Sequence, residues 1–224
     1  MKPEEKVEAI EKVFEGLDDH LANIADRTGL NCVTHCSLCC RNKNIEATPL
    51  EFYPLAAYLY RTGQMDAFID KLDNLKDDDL CILLDQNAEQ KGTWGCTAYP
   101  YRALICRMFG YGFRLNRMGV PDLVTCKTMK TVFPEGVQRA AQLSANEPEN
   151  LPLFRDYSMQ LWAIDQELAG KPMPINQAIR AAVEKVYTLF AYQEEENETK
   201  VIQLTPPDDS EPPVLRPDGF RPAV

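Results

Sequence analysis

The chain has 224 residues, 45% of them apolar and 26% charged, enough to close one hydrophobic core but short for two large domains. With 34 acidic against 24 basic side chains the formal net charge is -10, a balance that repels nucleic acid and anionic membrane surfaces. No run approaches the roughly 18 apolar residues of a bilayer span, and the first ten residues, MKPEEKVEAI, carry three glutamates where a signal peptide needs an apolar stretch. The expectation is a soluble, cytoplasmic protein that binds neither nucleic acid nor membrane.

From Glu4 to Asp26 the residues Val7, Ile10, Val13, Phe14, Leu17, Leu21 and Ile24 recur every three to four positions and predict an amphipathic helix. His20 lies within it, as a surface or core residue. The following NCVTHCSLCCRNKNIEA has no period and reads as a loop. A helix then starts at Thr48, with Pro49 at its first position and Glu51 completing a capping box, and stops at Gly63. Met65, Phe68, Ile69, Leu72 and Leu75 predict another short helix. CILLD, Cys81 to Asp85, is brief and apolar and predicts a strand, while FGYGFRLN and DLVTC predict the arms of a hairpin. After Pro134 the helical period returns through Val137 to Leu143, Tyr157 to Leu168 and Ile175 to Phe190. An acidic run follows from Gln193, and the last 24 residues hold six prolines, which predicts an extended tail that packs little beyond Thr205. The fold expected is mainly α: one metal-binding domain over residues 1–200, with an irregular cysteine-rich part at 30–130 that includes a small β-hairpin, a helical part at 134–192, and a proline-rich tail at 201–224. No internal repeat, P-loop, dinucleotide glycine fingerprint or nucleophile elbow is present in the sequence.

Eight cysteines stand out against this background. Cys32, Cys36, Cys39 and Cys40 lie within nine residues, and Cys81, Cys96, Cys106 and Cys126 follow. In a reducing compartment clustered thiols point to metal or catalysis, and soft thiolates suit zinc or an iron-sulfur cluster equally. The alternatives are packing thiols, above all Cys81 in its apolar run, a disulfide framework, and a Cys36–Cys39 redox pair. His35, beside Cys36, is a nitrogen candidate.

The run Cys32-Val-Thr-His-Cys36-Ser-Leu-Cys39-Cys40, the CILLD segment, CTAYPYRALICR from Cys96 to Arg107, and Cys126 together resemble the YkgJ-like cysteine-cluster family, the CxxCxxCC zinc- or iron-chelating domain. In that family a cluster ending in a Cys-Cys pair precedes a helix, and a later segment reads Cys, two residues, Tyr, two residues, Arg-Pro, two residues, Cys-Arg. Cys96, Tyr99, Arg102, Cys106 and Arg107 fall at matching positions. Two departures stand: three residues rather than two separate the first cysteines, with no glycine before the pair, and Ala103 replaces the proline. The resemblance covers roughly residues 30 to 130 and implies metal chelation. The family's relatives include flagellin lysine methylases associated with an iron-sulfur cluster, but this sequence has no S-adenosylmethionine glycine loop, so methylation does not carry over.

A four-thiolate centre leaves net negative charge, which burial tolerates only beside cations or hydrogen-bond donors. Arg102 and Arg107 are placed to supply the cations and Tyr99 a hydroxyl, with surface ion pairing and packing as their plainer roles. Two functions follow. One is a metalloprotein holding an iron-sulfur cluster or zinc, with redox or modifying chemistry on a partner protein. The other is a non-enzymatic module in which zinc staples a loop-rich half for protein binding. Eight thiols suffice for either, since they can close two zinc sites or leave spare thiols beside a cluster. Enzymatic activity is left undecided. If Cys32 to Cys40 share a centre with Cys96, Cys106 or Cys126, these distant segments must meet in space.

Overall fold

The structure, a computed structural model, describes residues 1–32, 36–76, 79–93 and 95–204. His35 and the tail from Thr205 onward lie outside the described residues, and with them the expectations of a nitrogen ligand and of a loosely packed end.

Helix α1 (Pro3–Thr28) follows the predicted stripe, burying Val7, Ile10, Phe14, Leu17, Leu21 and Ile24. Glu5 accepts from the Lys2 N–H at its start, and Gly29, at φ 70°, closes it by donating to the Ala25 carbonyl. The loop that follows is less irregular than its sequence. Cys39–Arg41 form a single 3-10 turn, and the two-residue strand β1 (Glu46–Ala47) leads into the capping box. That box forms as read, but its first turn, Pro49–Phe52, is 3-10, and α2 (Tyr53–Arg61) continues from it. Helix α3 (Met65–Asp73) also matches its pattern.

The segment Cys81 to Asp85 corrects the sequence reading, because it is a turn and not a strand. Leu84 N–H closes back on the Cys81 carbonyl at 2.9 Å, and Leu84 alone makes a bridge, to Cys96. Its apolar character has another cause: Cys81, Ile82 and Leu83 pack against the main core. The side chain of Asn176 holds this turn from below, accepting from Ile82 N–H at 2.9 Å and donating to the Leu80 carbonyl at 3.1 Å.

Next come the short helices α4 (Ala88–Lys91) and α5 (Leu104–Met108), the second carrying Cys106. The hairpin is present, with β2 (Phe113–Leu115) antiparallel to β3 (Pro121–Leu123). Cys126 then caps α6 (Lys127–Val132), its sulfur accepting from Met129 N–H at 3.3 Å. Helices α7 (Pro134–Asn146), α8 (Phe154–Ile164) and α9 (Gln166–Ala169) follow. Strand β4 (Met173–Pro174) pairs antiparallel with β1, a second two-stranded sheet with no counterpart in the sequence reading. Two-residue strands are too short to show a period.

Helix α10 (Ile175–Leu204) runs through the acidic segment and past residue 200, where the tail was expected to begin. The run EEENETKVIQL is rich in good helix formers.

The chain divides into two compact units, Met1–Phe190 and Ala191–Val224. In the second, the described residues continue α10. The first has a main core that includes Phe14, Leu17, Phe52, Tyr53, Leu161 and Val183, and a smaller core of Ile24, Leu30, Phe113, Met129, Ala140, Leu151 and Leu153. His20 joins α1 to the segment 150–157, its ring nitrogens 3.0 Å from the Tyr157 hydroxyl and from the Asn150 carbonyl. Among the described residues no helix is long and apolar enough to cross a membrane.

Candidate metal centre

Seven of the eight cysteines line one cavity of about 1330 Å³: Cys32, Cys36, Cys39, Cys40, Cys96, Cys106 and Cys126. They come from the loop after α1, the bridge at Leu84, helix α5 and the cap of α6, so the distant cysteine segments do meet. Cys81 lies deeper. It lines a second cavity of about 30 Å³ together with Cys40, Cys96 and Cys106. All eight thiols are free.

Three contacts invisible in the sequence hold these segments together. Gly95 stands so close to the first cysteine loop that a Cβ there would lie 2.4 Å from the Cβ of buried Ser37. Only glycine leaves room for Cys96 to approach Cys36 to Cys40. Replacing Gly95 with alanine is expected to force the two segments apart and to lower stability by about 1–3 kcal/mol, measured by urea denaturation. An unchanged midpoint would show that the loop yields freely. The second contact is the Cys32 N–H donating to the Tyr111 hydroxyl at 2.7 Å. The third is Glu51. Besides accepting from Thr48 N–H at 2.7 Å, its carboxylate accepts from Leu104 N–H at 2.6 Å, so the capping box also caps the helix bearing Cys106. Burial raises the Glu51 carboxyl above its ordinary range, against the pull of these N–H groups.

The arginines divide their work. Arg102 donates to the carbonyls of Tyr99 and Cys106 at 3.0 and 3.4 Å, and its guanidinium lies 3.5 Å from the centre of the Tyr99 ring. Its charge favours the thiolates of Cys32, Cys39 and Cys96. Arg107 also borders the cavity, but its guanidinium is committed to Asp18 at 2.5 Å, to the Arg102 carbonyl at 2.8 Å and to the Pro100 carbonyl, and it sits 4.4 Å from the centre of the Phe14 ring. It ties α5 to α1. Tyr99 is partly exposed at the cavity wall.

The thiols differ in acidity. Burial pushes Cys32 up to about 11 and Cys106 up to about 12, and neighbouring thiols reinforce both shifts. Cys39 is lowered to about 6, chiefly by its interaction with Cys40, whose sulfur is 3.9 Å away, while burial opposes the shift and Arg102 assists it. Cys40 rises correspondingly. In metal-free protein Cys39 is therefore the thiol expected to react first with iodoacetamide near pH 7. A thiol with a lowered pKa is thiolate above that value, so its labelling should fade only as pH falls through about 6, whereas Cys106 stays slow across about pH 5–9. Peptide mass mapping across that range reads the order, and faster labelling of Cys106 would contradict it.

Among the described residues no three His, Cys, Asp or Glu side chains converge closely enough to hold an ion. The fit to a metal lies instead in the donor chemistry: soft thiols, none in a disulfide, from four segments lining one cavity that Arg102 also borders.

The model of the CxxCxxCC family (Putative zinc- or iron-chelating domain) matches residues 31–147, more than half of the chain. The chain belongs to this family. No curated protein and no solved structure matches it. The CxxCxxCC match takes in all eight cysteines, with Glu51, Gly95, Tyr99, Arg102, Arg107 and Tyr111. It leaves out α1, which supplies Asp18, and α8, whose Phe154, Met159 and Trp162 also line the large cavity.

Proposed function

We propose that this chain is a thiolate metalloprotein whose cysteine cluster holds zinc or an iron-sulfur cluster beside a cavity that receives a substrate or a segment of a partner protein. The observation that carries this reading is the opening of seven thiols from separate segments onto one cavity of about 1330 Å³. That space far exceeds what an ion occupies. A bound centre of this kind supplies Lewis-acid or one-electron chemistry. The chain's own residues do the rest. Arg102 offsets thiolate charge, Glu51 and Gly95 set the spacing of the cysteine segments, and Phe154, Met159 and Trp162 offer the entering molecule an apolar wall.

The small cavity bounded by Cys40, Cys81, Cys96 and Cys106 favours a second reading, a zinc staple in a non-enzymatic interaction module. Protein purified without oxygen separates the two. A brown solution with sulfur-to-iron charge-transfer absorption and bound iron supports a cluster, and a colourless one with bound zinc supports a zinc site. Neither metal in the purified chain, with none taken up on reconstitution, would sink both.

A further inference from the structure

We infer that the large cavity binds a small organic anion, with its charged end held by Arg114 and Lys127 and an apolar body laid along α8. This rests on the reading of the cavity as the receiving site and names the class of molecule it receives.

The charge of the cavity runs against that of the chain. The protein carries a formal net charge of -10, yet among the described residues five cations, Arg102, Arg107, Arg114, Lys127 and Arg155, line this one space against two carboxylates, Glu46 and Glu51. Glu51 is already occupied by the N–H groups of Thr48 and Leu104. Three of the cations are occupied as well: Arg107 by Asp18 and two carbonyls, Arg155 by Asp156 at 2.9 Å, and Arg102 by two carbonyls and the thiols it favours. Arg114 and Lys127 are left. Among the described residues neither makes an ion pair. For Arg114 this holds with a carboxylate at hand, because Asp122 stands opposite it in the hairpin. Its guanidinium instead lies 5.5 Å from the centre of the Phe154 ring, on the cavity wall, where the bridge between Phe113 and Leu153 brings the two residues alongside.

The apolar part of the wall is as specific. Helix α8 is two-faced. Tyr157 and Leu161 are buried, while Arg155, Ser158, Met159 and Trp162, at the i, i+3, i+4 and i+7 spacing of one helix face, all line the cavity. Met159 is 56% exposed and Trp162 40%, so this stripe is uncovered. Exposed apolar side chains and unpaired cations on one cavity fit a ligand that is itself amphiphilic. The space is concave and walled by the cysteine loop, α5, the start of α6 and α8, the setting of small-molecule sites between helices rather than of an extended chain on a sheet edge.

The test is fluorescence titration of the full-length chain with anilinonaphthalene sulfonate, beside phenylnaphthylamine, which has the same rings without the sulfonate. The sulfonate dye should fill a single saturable site, and sodium chloride should weaken it and not the neutral dye. Arg114→Gln with Lys127→Gln should weaken the sulfonate dye by about tenfold or more and leave the neutral one unchanged, whereas Trp162→Glu should weaken both. Naphthoate should displace the dye, and a peptide of alternating glutamate and leucine should not. Equal effects on the two dyes, or sulfonate binding that ignores either salt or the double variant, overturns the anion site. Stronger displacement by the peptide than by naphthoate gives the cavity to a protein segment, and dye binding that requires a dimer to dissociate gives it to a second copy; either result overturns the proposal. The salt dependence is read on the wild-type chain, so it decides even where a variant does not fold. Metal uptake is measured on the same samples. Metal without dye binding overturns the anion site and leaves the thiolate reading standing, and dye binding without metal does the reverse.

Discussion

Replacing Cys106 with serine is expected to strip metal from the chain and to lower its stability steeply, with the loss confined to the metal-loaded form. Cys106 borders both cavities, on a helix of only five residues held in place by the Glu51 carboxylate on Leu104 N–H and by Arg102 on the Cys106 carbonyl. Both bonds use backbone groups, so serine leaves them intact. What it removes is a soft sulfur donor, and a serine hydroxyl is a poor ligand for zinc or iron. Thiolate sites formed only with their metal contribute on the order of 10 kcal/mol, and here the centre would close a loop running from the first cysteines to Cys106. Burial pushes the Cys106 thiol up to about 12, so metal binding must displace its proton and should weaken as pH falls. Metal per chain and thermal unfolding, each measured with and without metal, check the prediction. A variant that keeps its metal and its melting temperature would make Cys106 a packing thiol.

The second large effect is expected at Arg107→Met, a loss of about 2–4 kcal/mol in urea denaturation. The Arg107 side chain is 6% exposed, and its guanidinium serves the carbonyls of Pro100 and Arg102 as well as Asp18. Methionine keeps an apolar stem against Phe14, so packing is largely retained. The two carbonyls lose a charged donor in a partly buried place. Asp18, half exposed, regains water, so most of the cost lies with the carbonyls rather than the ion pair. Lysine should recover only part of the loss, because an ammonium cannot reproduce the planar fork that reaches three acceptors. A loss below about 0.5 kcal/mol would show that water replaces the guanidinium and that α5 does not depend on it.

Much of this protein is legible locally. The stripe of α1, the capping box at Thr48 and Glu51, the hairpin arms and the period that returns after Pro134 are set by residues a few positions apart, and each appears in the structure. The cysteines with Tyr99, Arg102 and Arg107 are legible as a family pattern, matched over residues 31–147. Tertiary structure alone decided the rest. CILLD owes its apolar character to the core beneath it rather than to a sheet, and a short apolar run is the same string in either case. The β1–β4 pair joins the first cysteine loop to the start of α10 through strands too short for any period. Glu51 satisfies a local motif with one oxygen and caps a distant helix with the other, and only the first bond has a sequence signal. The commitment of Arg107 to Asp18, the contact of Gly95 with Ser37 and the hold of Asn176 on the Cys81 turn likewise join segments remote in the chain. The grouping of thiols about two cavities is of the same kind, because spacing along a chain orders cysteines but does not say which sulfurs face the same space.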